Sequence, residues 1–87
     1  LYMIKEEGKL IYVKDGEFKE AKVLQIHSDS IFFEIVAIID GEIVDLFYFA
    51  GQNVWVYINR YFGGEYGEYL PYDKYEIKKV ILTTTIE

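Results

Sequence analysis

Two apolar runs, residues 31 to 39 and 42 to 50, meet at Asp40-Gly41. An Asp-Gly pair between β-rich runs predicts a two-residue hairpin, because a type I′ turn needs positive φ at both central positions and glycine adopts it without strain. Counting outward from the turn pairs Ile39 with Glu42, Ile38 with Ile43, Ala37 with Val44, Val36 with Asp45, Ile35 with Leu46, and so on to Phe32 with Phe49. Side chains alternate along a strand, so this register sorts the hairpin into two faces. One holds Ile31, Phe33, Ile35, Ala37, Ile39, Val44, Leu46, Tyr48 and Ala50 with no charge, and is the predicted core face. The other holds Phe32, Glu34, Val36, Ile38, Ile43, Asp45, Phe47 and Phe49, apolar but for one acid on each strand. A strand with one solvated side alternates polar and apolar, whereas near-continuous apolar runs belong to strands covered on both faces.

The flanking segments carry weaker patterns of the same kind. Residues 1 to 5 read as a short strand ended by Glu6-Glu7-Gly8, and residues 9 to 14 as a second strand leading to another hairpin signal at Asp15-Gly16. Outward from that turn Val13 faces Phe18 and Leu10 faces Ala21. The spacing of Phe18, Ala21, Lys22 and Gln25 also fits a helix, but a two-residue connection leaves no room for a cap, so residues 17 to 27 are read as a strand. His27-Ser28-Asp29-Ser30 predicts a turn. Past Gly51-Gln52-Asn53, Val54, Val56 and Ile58 share one face of a strand, and Trp55 and Tyr57 the other. Residues 59 to 70 hold three glycines and three tyrosines and read as a long loop. Pro71 to Tyr75 predicts a single helical turn with proline at its tolerated first position. In the last strand, residues 76 to 86, Tyr75 and Ile77 differ in parity from Val80, Leu82 and Ile86, which predicts a bulge near Lys78-Lys79.

Six to seven short antiparallel strands, with one helical turn before the last, predict a single all-β domain, a small barrel or sandwich of which an SH3-like meander fits best. Within it the stretch Val23-Leu24-Gln25-Ile26-His27-Ser28-Asp29-Ser30-Ile31-Phe32-Phe33, a strand, an Asp-bearing loop and a strand, resembles the Sm-like family, as does Val56-Tyr57-Ile58-Asn59-Arg60. The resemblance spans less than a third of the chain and implies a fold rather than a function.

Composition narrows the chemistry. Cysteine is absent, which removes disulfides, thiolate zinc sites and a thiol nucleophile, and with one histidine predicts no metal and no cofactor. No stretch is apolar for the length a bilayer requires and none has the form of a secretion signal, so a cytoplasmic chain without membrane partner is expected. Five residues of Asn, Gln and Met against twelve of Ile lean towards a heat-tolerant source. The net charge of −6 is concentrated in residues 28 to 59, which hold five acids and no base. That balance lacks the basic footprint of a nucleic-acid binder.

Two clusters have the right residue types for catalysis. His27, Ser28, Asp29 and Ser30 hold the members of a hydrolytic triad, but neighbours in a turn point in different directions and cannot form the relay. Glu34 and Asp45 are diagonal neighbours on one sheet face, about 5–8 Å apart, close to a glycosidase carboxylate pair. Two acids with no polar company serve more often as gatekeepers against aggregation. No catalytic residue is assigned, and the chain is read as non-enzymatic.

Binding is better represented. Six of nine tyrosines fall between Tyr57 and Tyr75, interleaved with glycine and Arg60, the composition of adaptable contact loops. Tyr57, Arg60, Tyr61, Tyr66, Tyr69 and Tyr72 are the candidate partner-binding residues, with the alternative that the rings only close the core. Phe32, Val36, Ile38, Ile43, Phe47 and Phe49 form the candidate oligomer interface, a dimer being simplest. The leading expectation is a self-associating interaction module with a possible protein partner. A small-barrel nucleic-acid binder using Arg60, Lys74, Lys78 and Lys79 is the first alternative, and an acidic phosphate mimic using Asp29, Glu34, Asp40, Glu42 and Asp45 the second.

Overall fold

A computed structural model describes residues 4–49, 51–59 and 68–86. These form seven strands: β1 (Ile4–Lys14), β2 (Glu17–Ser28), β3 (Phe32–Ile39), β4 (Glu42–Phe49), β5 (Trp55–Asn59), β6 (Glu68–Pro71) and β7 (Glu76–Ile86). All pair antiparallel in one open sheet of order β6-β5-β4-β3-β2-β1-β7. The chain meanders from β1 to β6, and β7 returns to the far side of β1.

That return forces the sheet to curl. Its two edge strands are joined by residues 72 to 75 alone, a link that spans about 17 Å when fully extended. Laid flat, six strand spacings would part the edges by about 29 Å. Curling creates a concave side, which Leu10, Tyr12, Ala21, Ile35, Ala37, Ile39 and Leu46 fill as the buried core. Phe33, Val44, Trp55, Tyr57, Tyr72, Tyr75, Ile77 and Val80 pack around them. Each fully buried Leu or Ile supplies about 1.5–3 kcal/mol.

Both Asp-Gly turns have the expected geometry, with φ of 51° and 76° at Asp15 and Gly16 and of 51° and 82° at Asp40 and Gly41. The β3–β4 register runs from Ile39 opposite Glu42 to Phe32 opposite Phe49, as the turn dictates. In β7 the extra residue is Lys78: Ile11 faces Lys79 and Tyr12 faces Ile77, so Ile77 and Val80 both reach the core side. A second bulge, not foreseen, falls at Leu24, since Val23 faces Ala37 and Gln25 faces Val36.

Four expectations are corrected. The first two predicted strands are one, β1, running through Gly8. There glycine answers close approach rather than a turn: a Cβ would meet Val23, Ile26 and Leu82 at 3.1–3.2 Å. The predicted helical turn at residues 71 to 75 is absent, and the described residues form no helix. Pro71 ends β6, the Tyr72 amide donates to the Trp55 carbonyl at 2.8 Å, and the chain bends at residues 74 and 75 into β7. Part of the predicted long loop, Glu68 to Leu70, is strand β6, paired with β5 from Val56–Pro71 to Asn59–Glu68. Ile31, expected in the core, precedes β3 and is exposed, while Ala50 lies outside the described residues.

Candidate functional site

The convex side of β3 and β4 carries the apolar surface the register defines. Its aromatic end is built from four strands, β2, β3, β4 and β6. Phe32 lies 5.8 Å from Phe47 and 5.9 Å from Phe49, Phe47 and Phe49 stack at 6.3 Å, and the His27 ring sits 5.7 Å from Phe32. Tyr69 of β6 stands edge-on to Phe47 at 5.5 Å and to Phe49 at 5.3 Å. Register explains the contact: Phe47 faces Val56, and Ile58, two residues on, faces Tyr69. Phe47 is thereby buried, with 7% of its surface exposed. Towards the Asp40-Gly41 turn the surface opens. Phe32, Val36, Ile38 and Phe49 are half-buried, and Ile43 is 71% exposed.

The six candidate tyrosine-segment residues divide. Tyr57 and Tyr72 come together on the concave side, edge-to-face at 6.5 Å, and pack against the core. Tyr69 lies on the convex side with the phenylalanines. Arg60, Tyr61 and Tyr66 lie outside the described residues. The Tyr72 hydroxyl is buried with no hydrogen-bond partner, and that burial pushes its pKa up to about 12. A shallow groove of about 640 Å³ runs beside it, lined by the start of β4 at Glu42 to Asp45, by Ile58 and by Asp73-Lys74.

Polar contacts gather where the chain closes on itself. Asp40 accepts from Lys14 Nζ at 2.7 Å and from the Tyr75 hydroxyl at 2.6 Å, and Lys74 pairs with Glu42 at 2.7 Å. The bonds from Lys14 and then Tyr75 hold the Asp40 carboxyl below the usual carboxylate range, while acceptance by Asp40 raises Tyr75. This anchoring was not anticipated. The available signal was an ionisable Asp, rather than Asn, in the turn.

Charges elsewhere are largely matched. Lys5, Lys9, Lys14, Lys19, Lys74 and Lys78 each lie within 4 Å of a carboxylate. Of the four bases in the nucleic-acid reading, Arg60 is outside the described residues, and Lys74 and Lys78 are ion-paired. Ser30 donates to its neighbour Asp29 at 3.1 Å while His27 packs on Phe32. Among the described residues no three His, Asp or Glu side chains converge as metal ligands, and no helix is long and apolar enough to cross a membrane.

Compared with protein families, curated proteins and solved structures, the chain finds no match among any of the three.

Proposed function

We propose that this chain is a non-catalytic interaction module, that its curled sheet is a small barrel of the SH3 kind, and that it self-associates through the convex face of β3 and β4 as a symmetric dimer. The observation that carries the reading is Ile43, 71% exposed on a face where Phe32, Val36, Ile38 and Phe49 are only half-buried and Phe47 alone is covered. A contiguous apolar surface of several hundred Å² marks an interaction site, and a two-fold axis covers such a surface with its own copy. Glu34, opposite Phe47, and Asp45, opposite Val36, fall between the two apolar ends of this face, so in this reading the axis offsets each acid from its own copy, because acids buried against their copies would repel. The tyrosine-rich segment after β5 engages a protein partner in this reading. The acidic-mimic alternative is weaker, since Asp40 and Glu42 are already matched by Lys14 and Lys74.

The experiment is sedimentation of untagged protein and of Ile43→Glu. Ile43 is exposed, so its replacement spares the core, whereas an acid at buried Phe47 would confound folding with association. The expected result is a self-associating parent and a variant whose self-affinity through this face drops at least about tenfold, as loss of an interface anchor does. Equal masses for the two proteins would overturn the reading.

A further inference from the structure

Towards Ile4 the β1–β7 pair parts from β2. β2 pairs with β1 only from Lys9–Lys22 to the turn, whereas β7 continues alongside β1 to Ile4–Ile86. Residues 4 to 7 and 83 to 86 are thus a two-stranded ribbon, and an isolated pair of strands is marginal in water. Every residue from Ile81 to Ile86 is exposed. On the concave side of this ribbon Ile4, Leu82 and Ile86 are 69%, 46% and 66% exposed.

β7 is also the end of the sheet order, so among the described residues its outer row of backbone donors and acceptors has no partner strand. The two halves of this edge differ in kind. Its first four residues include Glu76, Lys78 and Lys79 and a bulge, the usual protections of an exposed edge. The remaining seven, Val-Ile-Leu-Thr-Thr-Thr-Ile, carry no charge, no proline and no bulge. A neutral, β-branched, unprotected edge next to a protected one is a surface built to be paired.

We propose that the β7 edge from Val80 to Ile86 pairs antiparallel with the same edge of a second copy, giving a continuous sheet β1-β7-β7-β1 across the two chains. The segment is complementary to itself. A two-fold axis at Thr83 sets Val80 opposite Ile86 and Leu82 opposite Thr84 on the concave side, with Ile81 opposite Thr85 on the convex side. No lysine meets a lysine, and the marginal ribbon becomes one half of a four-stranded sheet with the apolar side chains of β7 in cross-strand contact. This interface is separate from the convex face of β3 and β4, and a chain using both forms a tetramer or a larger even-numbered assembly.

The test is Thr83→Lys, read by sedimentation at micromolar concentration and by amide exchange. Thr83 is exposed and faces Glu7 across β1, so a lysine there suits the chain's own sheet while the two-fold axis would set it against its copy. Thr83→Lys should lower the sedimenting mass of the parent at least twofold, and Thr83→Ser should leave it unchanged. Alternate amides between Val80 and Ile86 point away from β1. They should be protected in the parent and exposed in Thr83→Lys, with the β-sheet circular dichroism retained in both. Ile43→Glu separates the two interfaces: if it lowers the mass while Thr83→Lys does not, the edge pairing is wrong and the convex-face reading stands. A monomeric parent overturns both.

Discussion

The Tyr75 hydroxyl donates to Asp40 Oδ2 at 2.6 Å across thirty-five positions of chain, while Lys14 holds the other oxygen at 2.7 Å. One carboxylate thus ties the β3–β4 turn to the end of β1 and to the link between the sheet's two edges. Tyr75→Phe and Lys14→Met should each lower the melting temperature. Strong salt should erase much of the lysine effect and little of the tyrosine effect, because screening acts on the ion pair and not on the neutral hydroxyl's bond. Salt-independent melting differences for both would show that the Lys14 contact is not electrostatic.

The same carboxylate sets a pH dependence. Its pKa is lowered in the folded chain, so its stabilisation is complete above the ordinary Asp range and is lost as pH falls through the lower folded value. Tyr75 is raised, so its contribution is complete below the ordinary tyrosine range and is lost as pH rises through the higher folded value. Denaturation midpoints measured against pH should fall less steeply in acid for Asp40→Asn than for the parent. Parallel curves would remove Asp40 from the acid limb.

Gly8 offers a packing test. Its missing Cβ is matched to Val23, Ile26 and Leu82 at 3.1–3.2 Å, where β1 and β2 part. Gly8→Ala must push those side chains aside and should cost about 1–3 kcal/mol, the range for overpacking a filled site. Urea denaturation reads it, and an unchanged midpoint would mean that the junction yields freely.

Tyr72 should respond in the opposite direction. Its buried hydroxyl has no partner, and a buried polar group left unpaired costs about 1–3 kcal/mol. Tyr72→Phe should therefore be stabilising, by about 1 kcal/mol in the same urea assay. It should also remove the phenolate step near pH 12 from an ultraviolet titration. A destabilised Tyr72→Phe would show that the hydroxyl is satisfied in solution.

Local turn chemistry made much of this fold legible in the sequence. Asp15-Gly16 and Asp40-Gly41 fixed two hairpin registers, and the parity break between Ile77 and Val80 located the Lys78 bulge. What stayed hidden was set by distant partners. Gly8 looked like a turn because its crowding comes from residues 23, 26 and 82. Pro71 to Tyr75 looked helical because nothing local reveals that the segment carries the chain from one sheet edge to the other. At the candidate interface the register identified the face, but not that Tyr69 would bury Phe47 and leave Ile43 as its open member. The free neutral half of β7 was visible as seven uncharged residues, yet only the strand order shows that it is an edge.

The central claim is that a second copy covers the convex face of β3 and β4, and the absence of cysteine from the chain allows it to be tested directly. A spin label on Gln52→Cys, in the Thr83→Lys background that removes edge pairing, gives each copy one label in the exposed turn that follows β4, clear of the proposed contact. The account predicts a dipolar coupling between labels on two copies that disappears on dilution with unlabelled protein. A labelled protein with no intermolecular coupling at micromolar concentration would contradict it.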